Sequence, residues 1–450
     1  MTVDLSEHFQ QYIGQVSLPA LAIDRIERAS STLMEFLVKE FSIGNADVFL
    51  QGSYPNGTAI RPLDGGEYDV DLVFAMSDVE ESSDAALDRL EASFKADGRY
   101  AARVVSKKPC VRLEYAEDEV GKFHVDVVPL RRAVSGASPL EAPRRGEGWH
   151  STAPAEYTEW CTAQGIHFER TVKALKRWRD DQQSVHHSIK SIVLQVLASQ
   201  YMTTHTDDAA RLHGTFAAMH DALASLSSAP VIPNPVLPSE NLAARWSNAS
   251  FRDFVAELAE GRDVSERAIA TADPVEAADC WREILGEDFP TVPTEALGIR
   301  VSDDSHAHTY TTRGWTENLD ERYGVHLVAS TARGKRSPHF SKYENNGGTL
   351  FHGRKIKFEA LTRGPDDVEV WWQVANTGRH ARERNGLRGA FFKAKKLNGR
   401  DSANPRENWE DTNYTGAHWI RAVLVKANRV VAASDKFVVN IYNNTHRFGL

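Results

Sequence analysis

The sequence predicts an α+β protein: a mixed sheet with a helical half, followed by a β-rich, sandwich-like C-terminal domain. Three observations carry that expectation. Up to residue 132 the order reads helix, strand, turn, strand, helix, strand, strand, which suits a mixed or antiparallel sheet with helices set to one side. From 154 to 285 helical periodicity dominates. From 336 to 446 short β-branched and aromatic runs alternate with turns rich in Gly, Asn and Asp, the pattern of a small sandwich.

Residues 19–41 place apolar side chains at helical spacing. VFLQGS (48–53) reads as a strand entering a polar turn, and DVDLVFAM (69–76) as a strand that is apolar apart from two aspartates. Residues 82–97 read as helix, and 103–116 with 123–132 as two further strands. Helices follow at 167–181, at 186–202 and on to about 226. The four prolines of 229–239 mark an extended connector, and helices resume at 249–260 and 274–285. Strands are expected at 355–361, 368–375, 387–394, 418–426 and 435–443. The resulting domains are 1–150, 151–290, a linker over 291–335, and 336–450.

The 450 residues are 41% apolar, enough for a sizeable core. Cys110, Cys161 and Cys280 form no CxxC pair and are odd in number, so a disulfide framework and a structural zinc site are not expected. The N-terminus MTVDLSEHFQ lacks the basic and apolar regions of a signal peptide, and no run of 18 apolar residues occurs. A cytoplasmic protein with no membrane partner is therefore expected. Charge is uneven: residues 331–450 hold 22 Lys and Arg against 11 Asp and Glu, whereas 1–330 hold 31 against 51. Such asymmetry suggests separate partners for the two parts, or a basic domain docked on an acidic one.

The chemistry concentrates in Gln51-Gly52-Ser53 and the Glu67-Tyr68-Asp69-Val70-Asp71 strand. Asp69 and Asp71 are two apart, so on a strand they share a face. Paired carboxylates repel unless a cation lies between them. Asp126, in His124-Val-Asp-Val-Val-Pro, is a third strand carboxylate, and it joins the pair if its strand lies alongside. Oxygen ligands of this kind suit Mg²⁺ or Mn²⁺, and two such ions could activate a hydroxyl and neutralise a triphosphate leaving group. Gly52-Ser53 ends a strand, where a bare backbone and a hydroxyl can approach phosphate. Lys173 and Lys176 share one helix face, and Lys190 follows His186, His187 and Ser188 on the next helix. They could clamp phosphates or form an ordinary solvated face.

GSYPNGTAIRP, EYDVDLV and HVDVVP, in this order and spacing, resemble the DNA polymerase β-type nucleotidyltransferases. The chain is most similar to the bacterial relatives of cyclic GMP-AMP synthase, the SMODS or CD-NTase proteins of anti-phage signalling. The resemblance spans about 20–290, including LKRWRDD (175–181), IKSIVLQVL (189–197) and DCWREILGEDFP (279–290). It implies a polymerase β-like nucleotidyltransferase core over 1–150 and a helical substrate-binding half over 151–290. It implies that nucleoside triphosphates, ATP among them, are joined into a cyclic oligonucleotide with release of pyrophosphate. Two Mg²⁺ or Mn²⁺ ions on Asp69, Asp71 and Asp126 are implied, with Gln51, Gly52, Ser53, Lys176, Lys190 and Ser188 as nucleotide contacts. An effector protein encoded elsewhere is implied as well. A nucleotidyltransferase acting on RNA ends or protein, and an inactive nucleotide sensor, remain as alternatives. The acidic 1–330 half argues against a long nucleic-acid substrate, and the presence of all three aspartates argues against the inactive form.

VEVWWQVANTG (368–378), LRGAF (387–391) and EDTNYTGAHWIRAVLV (410–425) resemble the adenylyl/guanylyl cyclase and SMODS C-terminal sensor domain. That resemblance implies a nucleotide or nucleic-acid-like cue. Trp371, Trp372, Trp409, Tyr414 and Trp419 interleave with basic residues, a composition suited to nucleotides, although about half of these rings are expected in the core. Arg379, Arg382 and Arg388, in an expected loop, are the candidate ligand contacts.

Overall fold

The computed structural model describes residues 3–63, 66–76, 81–132, 139–182, 184–185, 189–292, 306–332, 340–348, 350–351, 353–376, 381–382, 384–396, 399–414 and 416–442. The chain divides into two compact units. One comprises Phe9–Asp180 and Ser184–Arg262, the other Met1–His8, Asp181–Gln183 and Asp263–Leu450.

The elements up to Arg262 run α1 (Ser6–Val16), α2 (Ala20–Phe41), β1 (Val48–Gln51), β2 (Glu67–Met76), α3 (Ser83–Ala96), β3 (Val104–Ser106), β4 (Val111–Tyr115), β5 (Lys122–Arg132), β6 (Leu140–Arg144) and β7 (Gly148–Thr152). They continue with α4 (Pro154–Ala163), α5 (Ile166–Asp181), α6 (Ser191–Tyr201), α7 (Asp208–Leu223), β8 (Pro233–Asn234), β9 (Leu237–Asn241) and α8 (Asn248–Ala270). The sheet is mixed, in the order β1-β2-β5-β4-β3, with β6 on β5 and β7 on β6. β2 and β5 pair in parallel, whereas β1–β2 and β4–β5 are antiparallel.

Alternation divides the two central strands cleanly. Val70, Leu72 and Phe74 of β2 and Val125 and Val127 of β5 turn to one face. There they bury against Ala22, Ile26, Leu33 and Leu37 of α2 and against Leu87, Leu90 and Phe94 of α3. The helical spacing of these residues supplies that face. Ser82 caps α3 by accepting from the Ala85 N–H at 3.2 Å. The residues between, Asp69, Asp71, His124 and Asp126, are left on the opposite face.

The second unit contains α9 (Pro274–Leu285), β10 (Thr316–Glu317), β11 (Gly324–Ala332), β12 (Phe340–Tyr343), β13 (Leu350–Phe351), β14 (Lys355–Arg363), β15 (Glu369–Ala375), β16 (Phe391–Phe392), β17 (Glu407–Asp411), β18 (Gly416–Lys426), β19 (Arg429–Ala433) and β20 (Phe437–Tyr442). A four-stranded sheet, β12-β11-β14-β17, faces a seven-stranded sheet built on β10-β19-β18-β15-β16. Leu327, Ile356 and Phe358 from the first meet Trp372, Val374, Ile420 and Leu424 from the second in one core. Trp372 and Trp419 are buried, while Trp371, Trp409 and Tyr414 are partly exposed.

Three expectations are corrected. The stretch 291–335 is not a linker throughout, because its described part contains β10 and β11. β11 pairs on both edges, with β12 and β14, so it is a central strand. Its GVHLVASTA sequence has only three large apolar residues, Val325, Leu327 and Val328, among small and polar ones, a weak alternation that cross-strand neighbours stabilise. Second, α9 groups with the sandwich rather than with the helical half, and packs on β13. Third, the proline-rich connector closes into a hairpin, β8–β9, and β6–β7 forms another hairpin that has no counterpart in the expected elements.

Leu72 is fully buried between Asp71 and the helices. Leu72→Ala is expected to destabilise the unit that holds this sheet by about 2–5 kcal/mol, read as a lower urea midpoint.

Candidate active site

Strand register brings the expected carboxylates together. In the parallel β2–β5 ladder Asp71 lies opposite Asp126, and Asp69 opposite His124. On the other edge of β2, Gln51 pairs with Asp71. Asp69, His124 and Asp126 each place one ligand atom within 4.8 Å of the others. Burial, and then the charges of Asp69 and Asp126, push the Asp71 carboxyl up to about 7. The His124 ring is buried, with Nε2 4.0 Å from Asp69 Oδ2. Arg112 of β4 grips Asp126 with two parallel hydrogen bonds, Nε to Oδ1 at 2.8 Å and Nη2 to Oδ2 at 2.9 Å.

The donor set fits a divalent cation. Three carboxylates on one face of adjacent strands repel, as the position of Asp71 records, and an added positive charge relieves that repulsion. Asp69, Asp71 and Asp126 could hold such an ion, with His124 beside them.

The turn after β1 is shaped around the same group. Gly52 has φ 86°, and a Cβ there would stand 2.5 Å from Asp71 Oδ2. Only glycine therefore lets the backbone run past the carboxylate. The turn closes through Thr58 N–H to Ser53 O (3.0 Å) and Asn56 N–H to Gly52 O (3.3 Å). Helices tie it down. Lys176 Nζ donates to Thr58 O at 2.9 Å, Gln195 Nε2 to Thr58 Oγ1 at 2.7 Å, and Thr158 Oγ1 to Asn56 Oδ1 at 2.8 Å. Tyr157 OH donates to Gln195 Oε1 at 3.1 Å. Burial, and then the Arg179 charge, lower the Lys176 ammonium to about 8.

A cavity of about 410 Å³ opens over these groups. Gln51, Gly52, Ser53, Asp69, Asp71 and Lys176 line it. So do Tyr157, Thr158, Gln195, Asn234 and Glu240, which the sequence reading missed. These polar residues carry no motif, since each sits in an ordinary helix or hairpin context. His124 and Arg112 did leave a signal: His124 is two positions before Asp126 on the same strand, and Arg112 lies within a β-rich run. Lys173 is turned away, donating to Ser17 Oγ at 3.1 Å. Lys190 does not line this cavity; it is the exposed N-cap residue of α6 and lines a neighbouring one. Ser188, with His186 and His187, lies outside the described residues.

In the sandwich, Arg382 is exposed and Arg379 lies outside the described residues. Arg388 is paired with Glu410 at 2.7 Å. Trp371 is flanked by Lys393 Nζ at 3.9 Å and by the Arg313 guanidinium at 4.1 Å from its ring centroid.

Residues 1–164 match the family profile of the Second Messenger Oligonucleotide or Dinucleotide Synthetase domain, and 305–442 match the Adenylyl/Guanylyl and SMODS C-terminal sensor domain. The chain thus carries a synthetase domain of this family in its N-terminal part and its sensor domain in the C-terminal part. Its reaction class is accordingly nucleotidyl transfer that forms cyclic oligonucleotides. The synthetase is 25% identical over 300 residues to a cyclic AMP-AMP-AMP synthase of Acinetobacter sp., covering 63% of this chain and 85% of the relative. It is 24% identical over 304 residues to a probable cyclic AMP-AMP-GMP nucleotide synthase of Salmonella paratyphi B, covering 54% and 80%. Its fold resembles CdnC of E. coli MS115-1, solved in complex with HORMA-deltaN (TM-score 0.51, 16% identity, 63% of this chain and 98% of that one). It also resembles the CD-NTase CdnG of Bradyrhizobium diazoefficiens in complex with GTP (TM-score 0.51, 19% identity, 59% and 92%). No described helix of the synthetase is long and apolar enough to cross a membrane.

Two outcomes are expected. Asp71 keeps its proton up to about 7, so below that pH a cation must displace a proton. Mn²⁺ affinity, read by electron paramagnetic resonance, should rise about tenfold per pH unit between 5.5 and 7 and level off above it. Without metal the sign is opposite. The stabilisation from the raised Asp71 is full at low pH, below the ordinary carboxyl range, and is lost as pH rises through about 7. Gly52→Ala should weaken Mn²⁺ affinity on the order of 10–100-fold and also lower the thermal midpoint, because the new methyl group displaces the Asp71 carboxylate and a side chain at φ 86° is strained.

Proposed function

We propose that this protein joins nucleoside triphosphates, ATP among them, into a cyclic oligonucleotide second messenger with release of pyrophosphate, as part of bacterial anti-phage defence. One observation carries the residue assignment: Asp69, Asp71 and Asp126 meet on a single sheet face, and Asp69 and Asp71 line a cavity together with Ser53 and the buried Lys176. The names of the relatives, all makers of cyclic nucleotides, support the product class.

Two Mg²⁺ or Mn²⁺ ions on the three aspartates would, when bound, neutralise the triphosphate and acidify the attacking hydroxyl. The chain's own groups position the reactants. Ser53 Oγ and the backbone at Gly52 meet the donor triphosphate, and Lys176 supplies a buried positive charge opposite the aspartates. Arg112 fixes the Asp126 carboxylate by its two hydrogen bonds, so that it faces the acceptor 3′- or 2′-hydroxyl and takes its proton. The hydroxyl oxygen bonds to the α-phosphorus, the bond to the bridging oxygen breaks, and pyrophosphate leaves. Repetition on the linear product closes the ring. The C-terminal sandwich would bind a nucleotide or nucleic-acid-like cue, and a separately encoded effector would read the product.

The test incubates the full chain with four ribonucleoside triphosphates and Mg²⁺ or Mn²⁺, then with phosphatase, before mass spectrometry. A phosphatase-resistant product of cyclic-oligonucleotide mass is expected, and Asp69→Asn with Asp71→Asn should abolish it. Labelled RNA ends in place of such a product would overturn the assignment.

A further inference from the structure

We propose that His124 is a further ligand of the divalent cation, beside the aspartates, and that its nitrogen makes the site favour Mn²⁺ over Mg²⁺. This rests on the reading that Asp69, Asp71 and Asp126 hold such an ion. Register makes the four side chains the corners of one array: Asp69 lies opposite His124, and Asp71 opposite Asp126, across the parallel β2–β5 ladder. Asp69, His124 and Asp126 each offer a ligand atom, and these atoms lie within 4.8 Å of one another. The array therefore has oxygen donors at every corner but one, and that one carries an imidazole.

His124 is only 6% exposed, and its Nε2 is sealed from solvent with no hydrogen-bond partner among the described residues. A histidine buried for packing alone gives its ring nitrogens partners, because an orphaned polar atom is costly. An ion-pair role fits no better. Asp69 Oδ2 stands 4.0 Å from Nε2, beyond hydrogen-bond distance. Asp126 is already neutralised by the two bonds from Arg112. Each Asp126 oxygen accepts one of those bonds and keeps a lone pair for an ion. The other ring nitrogen is set as in a metal ligand. Glu67 Oε2 stands 3.8 Å from Nδ1, and a carboxylate beside the far nitrogen is the usual device that orients a ligating imidazole.

The donor type carries the preference. Mg²⁺ takes oxygen ligands and gives up its water reluctantly. A first-row transition ion accepts an imidazole nitrogen more readily. An array of carboxylates alone has no such bias, whereas one imidazole corner introduces it. The aspartates supply the negative charge that draws a cation in, and His124 acts on which cation stays.

The test titrates the full chain with Mn²⁺ under electron paramagnetic resonance and reads nitrogen coordination from the modulation of the Mn²⁺ spin echo. The wild type is compared with two variants, with thermal midpoints as a check on folding. His124→Asn keeps an amide near the Nδ1 position and removes the Nε2 donor, whereas His124→Gln puts an amide near the Nε2 position. The wild type should show a directly bound nitrogen, and both variants should lose it. His124→Asn should weaken Mn²⁺ binding about tenfold, and Mg²⁺ binding, measured by competition, much less. His124→Gln should lower the preference for Mn²⁺ over Mg²⁺ about tenfold. No nitrogen signal in the wild type, or one that both variants keep, overturns the proposal and leaves the carboxylate site standing. Equal weakening of both ions, the mark of a merely structural ring, overturns it too. If Asp69→Asn/Asp71→Asn leaves Mn²⁺ binding unchanged, the carboxylate site itself fails and the proposal falls with it. A bound nitrogen that His124→Asn removes, in a protein that makes no cyclic product, upholds the proposal and overturns the nucleotidyl-transfer reading.

Discussion

The parallel pairing of β2 with β5 is the constraint on which the catalytic unit depends. Its register sets Asp71 opposite Asp126 and Asp69 opposite His124. A slip of one residue would turn each carboxylate into the helix-covered core and send Val70 or Val125 into the cavity. The burial of Leu72, Phe74, Val125 and Val127 under α2 and α3 prevents that slip. The same apolar contacts that hold the sheet therefore hold mutually repelling charges together, and a site built this way has affinity for cations.

The turn after β1 couples this sheet to the helices. Thr58 is its hub: its carbonyl takes the buried Lys176 ammonium and its hydroxyl takes Gln195, which is fixed in turn by Tyr157. Contacts from α4, α5 and α6 thus converge on one loop within the catalytic unit. That arrangement explains why polar residues on three helices line the cavity without recognisable motifs. Their roles follow from the position of the turn. The hairpin β8–β9 adds Asn234 and Glu240 to the same wall, from a segment whose prolines had suggested a plain connector.

Legibility in the sequence followed periodicity. β2, β5, α2 and α3 were visible because each has one face that must be apolar, and the alternation that reveals a strand also reveals which aspartates leave the core. β11 was missed because its pattern is weak and its strand state depends on partners on both sides. α9 has a strong helical pattern, but periodicity alone does not say which unit a helix packs against. In the sandwich, Trp372 and Trp419 went to the core and Trp371 to a surface between Arg313 and Lys393. Arg388 is matched by Glu410 from β17, a pairing between residues 22 apart that no local pattern announces.

By itself the sequence determined the chemistry: two carboxylates two residues apart on an apolar strand, a third on another strand, and a Gly-Ser turn ahead of them. Those features are local, because side-chain alternation and the backbone freedom of glycine need no distant partner. Only the tertiary structure decided which strand lies beside which, that Arg112 grips Asp126, and that Lys190 faces a cavity next to the active site rather than the active site itself. Those outcomes depend on sheet order and on the start of α6, where residues far apart in the chain meet through packing. No spacing along the sequence encodes that distance.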